Sequence, residues 1–349
     1  MIKHALATIE RGAVGNHAMG INHALSQANI ETATFAETIR PEFRSTVKSI
    51  DDFATDLRAD DVVLYQFANP SPMADLLYNT SCRLIVNYHN ITPAHYFARW
   101  FPSTSAAISR ARTQLARLAP LSSGAIAVSE FNAAELVSLG YRNIEIIPPV
   151  FSDAFYADEN DGEKSSQKRT PSTWLFVGRI APHKNIHVLI HALDIYRRHF
   201  SDAVLTIVGS CDTPLYGKAV NELIRERNLE DVVTIIEHTD ISSLVDLYRA
   251  SSVFVSASEH EGFCVPLIEA MASGLPVVAV DAGAVADTTG SAAVLIPRPD
   301  AALLAETIAH VSEEQQSLQE LQNRGYVRSK RFNPLVTSQK YVDYLSEWI

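Results

Sequence analysis

Cysteine is scarce in this chain: Cys82, Cys211 and Cys264 are the three in 349 residues. They are odd in number, far apart and set among apolar or small residues. Neither a disulfide framework nor a zinc-knuckle spacing can be drawn from them, which points to a reducing compartment. Positive charge is also in short supply. Lys and Arg number 29 against 40 Asp and Glu, a formal net charge of -11. That balance repels phosphate backbones and excludes a general nucleic-acid binder. No uninterrupted apolar stretch approaches the roughly 20 residues a spanning helix needs. The first apolar run meets Glu10 and Arg11 too early for a signal-peptide core. A soluble, cytoplasmic protein is expected.

What is present is enough apolar material for sizeable cores, 47% of the chain, which excludes disorder as the dominant state. The length suggests two domains. Short apolar runs at Ala5–Ile9, Val62–Gln66, Leu84–Tyr88 and Ala125–Val128 read as buried strands. Helical patterns fall between them at Asn16–Asn29, Pro70–Tyr78, Thr104–Leu118 and Glu130–Leu139. A polar stretch, Asp158–Ser166, reads as a surface loop near a junction. The alternation then restarts. Strands are expected at Trp174–Val177, Val204–Val208, Val232–Ile236, Val253–Ser256 and Pro276–Val280, and helices at Ile186–Arg198, Lys218–Arg227, Ser243–Arg249 and Pro266–Ala272. This pattern predicts an α/β chain of two tandem Rossmann-like, doubly wound domains facing a central cleft. The expected boundaries are 1–155, a polar junction loop at 156–172, a second domain at 173–332 and a terminal helix at 333–349. Residues 1–150 carry 12 basic and 13 acidic side chains, the rest 17 and 27. The first half is therefore the likelier one to meet an anionic surface.

The segment Ser258–Gly274 is the richest in chemistry. Pro266 suits the first helical position and Gly274 the left-handed cap after the last turn. Glu261 then lies in the loop before the helix and Glu269 in its first turns. The N–H groups of Gly262, Phe263 and Cys264 point at whatever sits above the helix N-terminus, an end that attracts phosphate. Two carboxylates beside it suit sugar hydroxyls better. A ligand with phosphate and hydroxyl-rich parts satisfies both, and a nucleotide sugar is one. A second element, Phe176–Asn185, is a strand ending in Gly178 followed by a helix near Asn185. Arg179 and Lys184 would stand at the strand's carboxyl end as fixed cations for a diphosphate. No Asp-x-Asp triplet occurs, so a metal-bridged diphosphate lacks obvious ligands, and no metal or cofactor is expected. Seen alone, either group of charges reads first as solvated surface.

Together these segments resemble the family-4 retaining glycosyltransferases of the GT-B fold. Glu261, seven residues and Glu269 are similar to that family's paired-glutamate motif, and Gly178-Arg179 with Lys184-Asn185 to its phosphate-binding motif. The resemblance covers nearly the whole chain. It implies transfer of a hexose with retained configuration from a nucleoside-diphosphate sugar, GDP- or UDP-linked with GDP-mannose a slight favourite. The acceptor would be a saccharide or a lipid-linked molecule, as in surface polysaccharide synthesis. It also implies that Arg179 and Lys184 bind the diphosphate, Glu261 the donor sugar, and Glu269 the ribose. The turn Glu237-His238-Thr239 would border the base, with His238 and Thr239 as its contacts.

The first half speaks less specifically. Gly12 and Gly15, after the first strand, would let a ligand near the backbone, though a plain strand-to-helix turn explains them as well. His89 ends another apolar strand, and the resemblance places it beside the donor sugar as a hydrogen-bonding group, not the base. Ser129 reads as a helix cap. Arg99, Arg110, Arg112 and Arg117, with Trp100, Phe101, Ile108, Leu115 and Leu118, could meet an anionic membrane, placing the protein at the inner face of the cell membrane. An ordinary solvated helix is the alternative. Two rival functions stay open: a non-catalytic nucleotide-sugar-binding subunit, and a GT-B epimerase or phosphorylase.

Overall fold

The computed structural model describes residues 1–10, 12–156, 172–211, 213–313 and 315–349. The junction loop expected at Asp158–Ser166 lies outside the described residues. The chain divides into two units. One comprises Met1–Ala98, Pro102–Phe151 and Phe332–Ile349, the other Arg99–Phe101 and Ser152–Arg331.

The first unit holds a parallel sheet in the order β3-β2-β1-β4-β5-β6-β7. Its strands are β1 (Ile2–Ile9), β2 (Thr32–Ile39), β3 (Lys48–Ser49), β4 (Val62–Phe67), β5 (Arg83–Tyr88), β6 (Ser122–Ala127) and β7 (Ile144–Ile146). Every residue of β4 is buried, as a central parallel strand covered on both faces must be. Alternation then divides its side chains. Val63, Tyr65 and Phe67 join Phe35, Val86 and Leu115 on one face. Val62 and Leu64 join Ile21, Leu25 and Tyr341 on the other. The terminal helix Pro334–Ser346 starts at Asn333, whose side chain accepts from the Leu335 N–H, and it buries Tyr341 and Leu345 in this unit.

The second unit repeats the scheme with the order β10-β9-β8-β11-β12-β13. The strands are β8 (Thr173–Val177), β9 (Val204–Val208), β10 (Val233–Ile236), β11 (Val253–Ser256), β12 (Val277–Val280) and β13 (Val294–Ile296). All pairings are parallel. The helices Ile186–Tyr196 and Ala301–Glu313 pack together over one face.

Besides placing Phe332 in the first unit with the terminal helix, the division of the chain differs from the expected boundaries in two places. It falls at Phe151/Ser152 instead of at 155, because Phe155 packs its ring on Tyr248 at 5.5 Å and its carbonyl accepts from the Ser273 hydroxyl at 3.3 Å. Arg99–Phe101 belongs to the second unit, where Trp100 meets Tyr216 edge-on at 5.2 Å. The strands β2, β3, β7 and β13 were not legible as apolar runs. β2 mixes polar and apolar residues, and the other three have two or three residues each.

Strand order sets where ligands gather. In the second unit the chain passes from β8 outward through β9 and β10, then returns to the other side of β8 as β11. The loops after β8 and β11 therefore leave the same sheet edge in opposite directions and open a crevice between them. In the first unit the same reversal lies between β1 and β4.

Candidate active site

The loops after β8 and β11 carry the two motifs singled out above. Val177 ends β8, and Gly178 turns the chain with its N–H on the Val208 carbonyl at 2.9 Å. Ile180 N–H then reaches the Ser210 carbonyl, 2.9 Å. A short helical turn, Pro182–Lys184, follows, and Asn185 takes a left-handed conformation, φ 51°, before the helix Ile186–Tyr196. Asn tolerates that backbone better than most residues. Its side-chain amide also ties the two loops together, donating to the Ala257 carbonyl and to Glu259 Oε2, each at 3.0 Å. The loop after β11 answers with the Glu259 N–H on the His183 carbonyl, 2.9 Å.

This lacing brings Lys184 and Glu261 together. Lys184 Nζ donates to Glu261 Oε1 at 2.6 Å, with side-chain exposures of 15% and 8%. The two residues assigned from the sequence to phosphate and to sugar thus meet each other, and each holds the other's charge at the crevice. Arg179 is exposed on the same loop. Glu261 is braced from behind, where its carbonyl accepts the Ala284 N–H at 2.9 Å. Gly283 makes that approach feasible: its φ is +59° and a Cβ there would lie 2.3 Å from the Glu261 carbonyl oxygen. Gly283→Ala is expected to destabilise the protein by more than about 2 kcal/mol, seen as a lower Tm, and to reduce transfer through a displaced Glu261. An unchanged Tm would show that this loop yields.

The helix Val265–Ala272 follows, one residue earlier than expected, with Pro266 in its first turn. Cys264 caps it in a left-handed conformation, φ 68°, and burial pushes its thiol pKa well up. The Thr288 hydroxyl holds the Phe263 carbonyl at 2.8 Å. Glu269 is half-buried, and its Oε2 accepts from the Tyr248 hydroxyl at 2.8 Å. Burial raises its pKa to about 7, against a partial opposing effect of that hydrogen bond. Tyr248 was not singled out from the sequence. A lone Tyr in an amphipathic helix carries no signal of a partner 21 residues on. Glu237 and His238 are exposed and Thr239 half-buried. They follow β10, two strands from β8, about 10 Å along the edge at the usual strand spacing.

In the first unit His89 follows β5, half-buried. Its Nε2 lies 2.5 Å from Gln66 Oε1, and burial with His4 nearby lowers its pKa to about 3. Gly12 is exposed, with open space where a Cβ would stand. At Gly15 a Cβ would lie 1.9 Å from the Glu10 carbonyl oxygen, so the strand-to-helix turn by itself requires that glycine. Ser129 caps the helix Glu130–Ser138 by accepting from the Asn132 N–H.

The apolar surface expected to meet a membrane is also corrected. Leu115 and Leu118 are buried in the first unit's core, Ile108 packs against it, and Trp100 packs in the second unit. Arg112 turns inward to Glu135 and the Ile91 carbonyl, and Arg117 lies 3.9 Å over the Tyr78 ring. Phe101, Arg99 and Arg110 remain exposed. Among the described residues no helix is long and apolar enough to cross a membrane.

The arrangement can be set beside known proteins. The crystal structure of HepE from Anabaena in complex with UDP and glucose superposes with a TM-score of 0.80 at 18% identity, covering 99% of this chain and 100% of that one. The fold is GT-B. Residues 158–328 match the family model described as Glycosyl transferases group 1. Among curated proteins, the O-antigen chain mannosyltransferase RfbU of Salmonella typhimurium is 30% identical over 126 residues, 36% of this chain and 34% of that protein. The D-inositol 3-phosphate glycosyltransferase of Corynebacterium efficiens is 26% identical over 217 residues, 58% of this chain and 51% of that protein. The matches thus span from a third to about half the length of these relatives. The likeness to solved structures shows the fold, and the matches in sequence are to glycosyltransferases.

Proposed function

We propose that this protein is a retaining glycosyltransferase, similar to family 4, that moves a hexose from a nucleoside-diphosphate sugar to a saccharide or lipid-linked acceptor. The observation that carries this is the Lys184–Glu261 pair at the reversal of strand order. A cation for phosphate and a carboxylate for sugar hydroxyls sit 2.6 Å apart there, with Glu269 on the adjoining helix for the ribose. Bond breaking builds negative charge on the diphosphate. Arg179, Lys184 and the N–H groups ahead of Val265–Ala272 stabilise it. Donor binding draws Lys184 to phosphate and frees Glu261 to accept from the sugar. The resemblance assigns His89, in the first unit, a hydrogen bond to the donor sugar, given from a neutral ring. His238 and Thr239 border the base. The departing phosphate takes the acceptor proton, so no separate base is required.

RfbU is named a mannosyltransferase and HepE was crystallised with UDP and glucose, so GDP-mannose and UDP-glucose are the first donors to try. One of them is expected to raise Tm by several degrees at 100 times its Kd, the equivalent of about 2.7 kcal/mol. Transfer to lipid-linked acceptors, read by mass spectrometry, should follow. Absence of both effects across GDP-, UDP- and ADP-sugars would sink the proposal. Donor binding without transfer to any acceptor would favour a non-catalytic nucleotide-sugar-binding subunit. Because side-chain cations neutralise the diphosphate in this account, a chelator should leave turnover within about twofold. A strict metal requirement would contradict it.

A further inference from the structure

We infer that Gln66 and His4 are positioning residues that fix the proton of His89 on Nε2 and so present its Nδ1 as a hydrogen-bond acceptor to a hydroxyl of the transferred sugar. The inference rests on the proposed reading of His89 as a sugar contact.

Gln66 is the anomaly that leads to it. It is 2% exposed in β4, among Val62, Val63, Leu64, Tyr65 and Phe67. A buried amide costs free energy unless both its ends are bonded. Both hydrogen bonds recorded for its side chain go to imidazoles. Its Nε2 lies 2.6 Å from His4 Nε2, and its Oε1 lies 2.5 Å from His89 Nε2. His4 is fully buried in β1, the neighbouring strand. Its Nδ1 lies 2.6 Å from Asn22 Oδ1.

The direction of this chain follows from its far end. Asn22 Nδ2 reaches Thr34 Oγ1 at 2.8 Å and Met19 Sδ at 3.9 Å. A thioether can only accept. That fixes the amide, turning Asn22 Oδ1 to His4 and requiring a proton on His4 Nδ1. Burial holds the His4 pKa down at about 4, so its ring is neutral and Nε2 must accept. Gln66 then donates to His4 through Nε2, which aims its Oε1 at His89. A carbonyl oxygen accepts only, so His89 carries its proton on Nε2. The ring being neutral, Nδ1 keeps a lone pair, and among the described residues no hydrogen bond to Nδ1 is seen.

One further titratable side chain faces His89. His17, from the helix Ala13–Gln27, meets it edge-on at 5.0 Å. His17 Nδ1 accepts the Val150 N–H at 2.8 Å, which puts its own proton on Nε2, and that nitrogen lies 3.1 Å from the Asn87 side-chain amide, whose buried oxygen takes the proton once the amide is turned. It therefore does not compete for Nδ1 of His89 through a hydrogen bond of its own. The chain of amide and imidazole groups thus crosses β1, β4 and β5 on one face, and its outermost member stands at the strand ends.

The test is a long-range proton–nitrogen correlation spectrum of the full chain, labelled with 15N histidine and recorded without donor. His89 is assigned by the signals lost in His89→Gln. The expected result is a neutral His89 ring protonated at Nε2 from pH 6 to 8. Gln66→Met, close in shape but unable to bond, should give a mixture of tautomers. With the donor identified above, it should lower kcat by about ten- to a hundredfold while KM stays within about threefold. A wild-type His89 protonated at Nδ1, or a Gln66→Met variant with wild-type tautomer and kcat, would overturn the inference. If Gln66→Met fails to fold, the wild-type spectrum decides the tautomer alone. A wild-type protein with the Nε2 tautomer but no turnover on any donor would instead sink the sugar-contact reading on which this rests.

Discussion

Replacing Arg179 and Lys184 together by alanine is expected to lower turnover by at least about a thousandfold, since one preorganised donor at a site of developing charge contributes about 10²–10³. The loss should fall mainly on kcat. Negative charge is greater on the departing diphosphate than on the bound donor, so the cations act most strongly after bond breaking begins. The single variants should differ. Arg179 is exposed, and an exposed cation can be removed at modest cost in stability. Lys184 cannot, because Glu261 would then be left with its carboxylate 8% exposed and its recorded ion pair gone. Removing one partner of a fully buried pair costs about 3–5 kcal/mol, and the exposure of Lys184 places this case below that range. Lys184→Ala should therefore lower both Tm and kcat, and Arg179→Ala chiefly kcat. Near-normal turnover by the double variant, with circular dichroism showing the fold intact, would remove these cations from the mechanism.

The second large effect concerns Glu269. Two hydroxyls of a ribose donating to one carboxylate are worth about 1.5–3 kcal/mol each. Glu269→Ala is thus expected to weaken donor affinity by about 10² or more in calorimetry, with the acceptor side untouched. The affinity should also depend on pH. Burial raises the Glu269 pKa from 4.5 to about 7. Below pH 7 the carboxyl is protonated and is a poorer acceptor, so donor affinity should fall as pH is lowered from 8 to 6. Stability runs the other way. The folded state holds a proton that the unfolded state releases between 4.5 and about 7, so this group's contribution to stability is lost as pH rises through that window, by at most about 3 kcal/mol. Tyr248→Phe removes a hydrogen bond that favours the ionised form, so it should move the affinity transition to higher pH. Affinity independent of pH in the wild type, or unchanged by Glu269→Ala, would detach Glu269 from the ribose.

The place of the two motifs, after β8 and β11, was readable because each is local. Gly178 to Asn185 and Glu261 to Glu269 are each short spans whose spacing survives in any fold that places a strand before and a helix after. The long buried strands were readable for the same reason, since a central parallel strand such as Val62–Phe67 is buried on both faces and, Gln66 aside, apolar. The edge strands were not, because a two-residue strand such as Lys48–Ser49 leaves no pattern to detect. The Arg99–Arg117 segment misled for a related reason. An apolar side chain shows that something comes close, but the identity of the neighbour is set by distant parts of the chain. For Leu115 and Leu118 it is the first unit's core.

Residue order alone thus determined the α/β class, the tandem arrangement and the place of the charged motifs after their strands, because periodicity and motif spacing are properties of neighbouring residues. Folding in three dimensions decided the partnerships: Lys184 with Glu261 across 77 positions, Tyr248 with Glu269, Gln66 between His4 and His89. Such pairs form where parallel strands far apart in the chain end at one sheet edge or lie side by side on one face. Burial there does what no local pattern can, since it removes water as the alternative partner and leaves each polar group dependent on the one beside it.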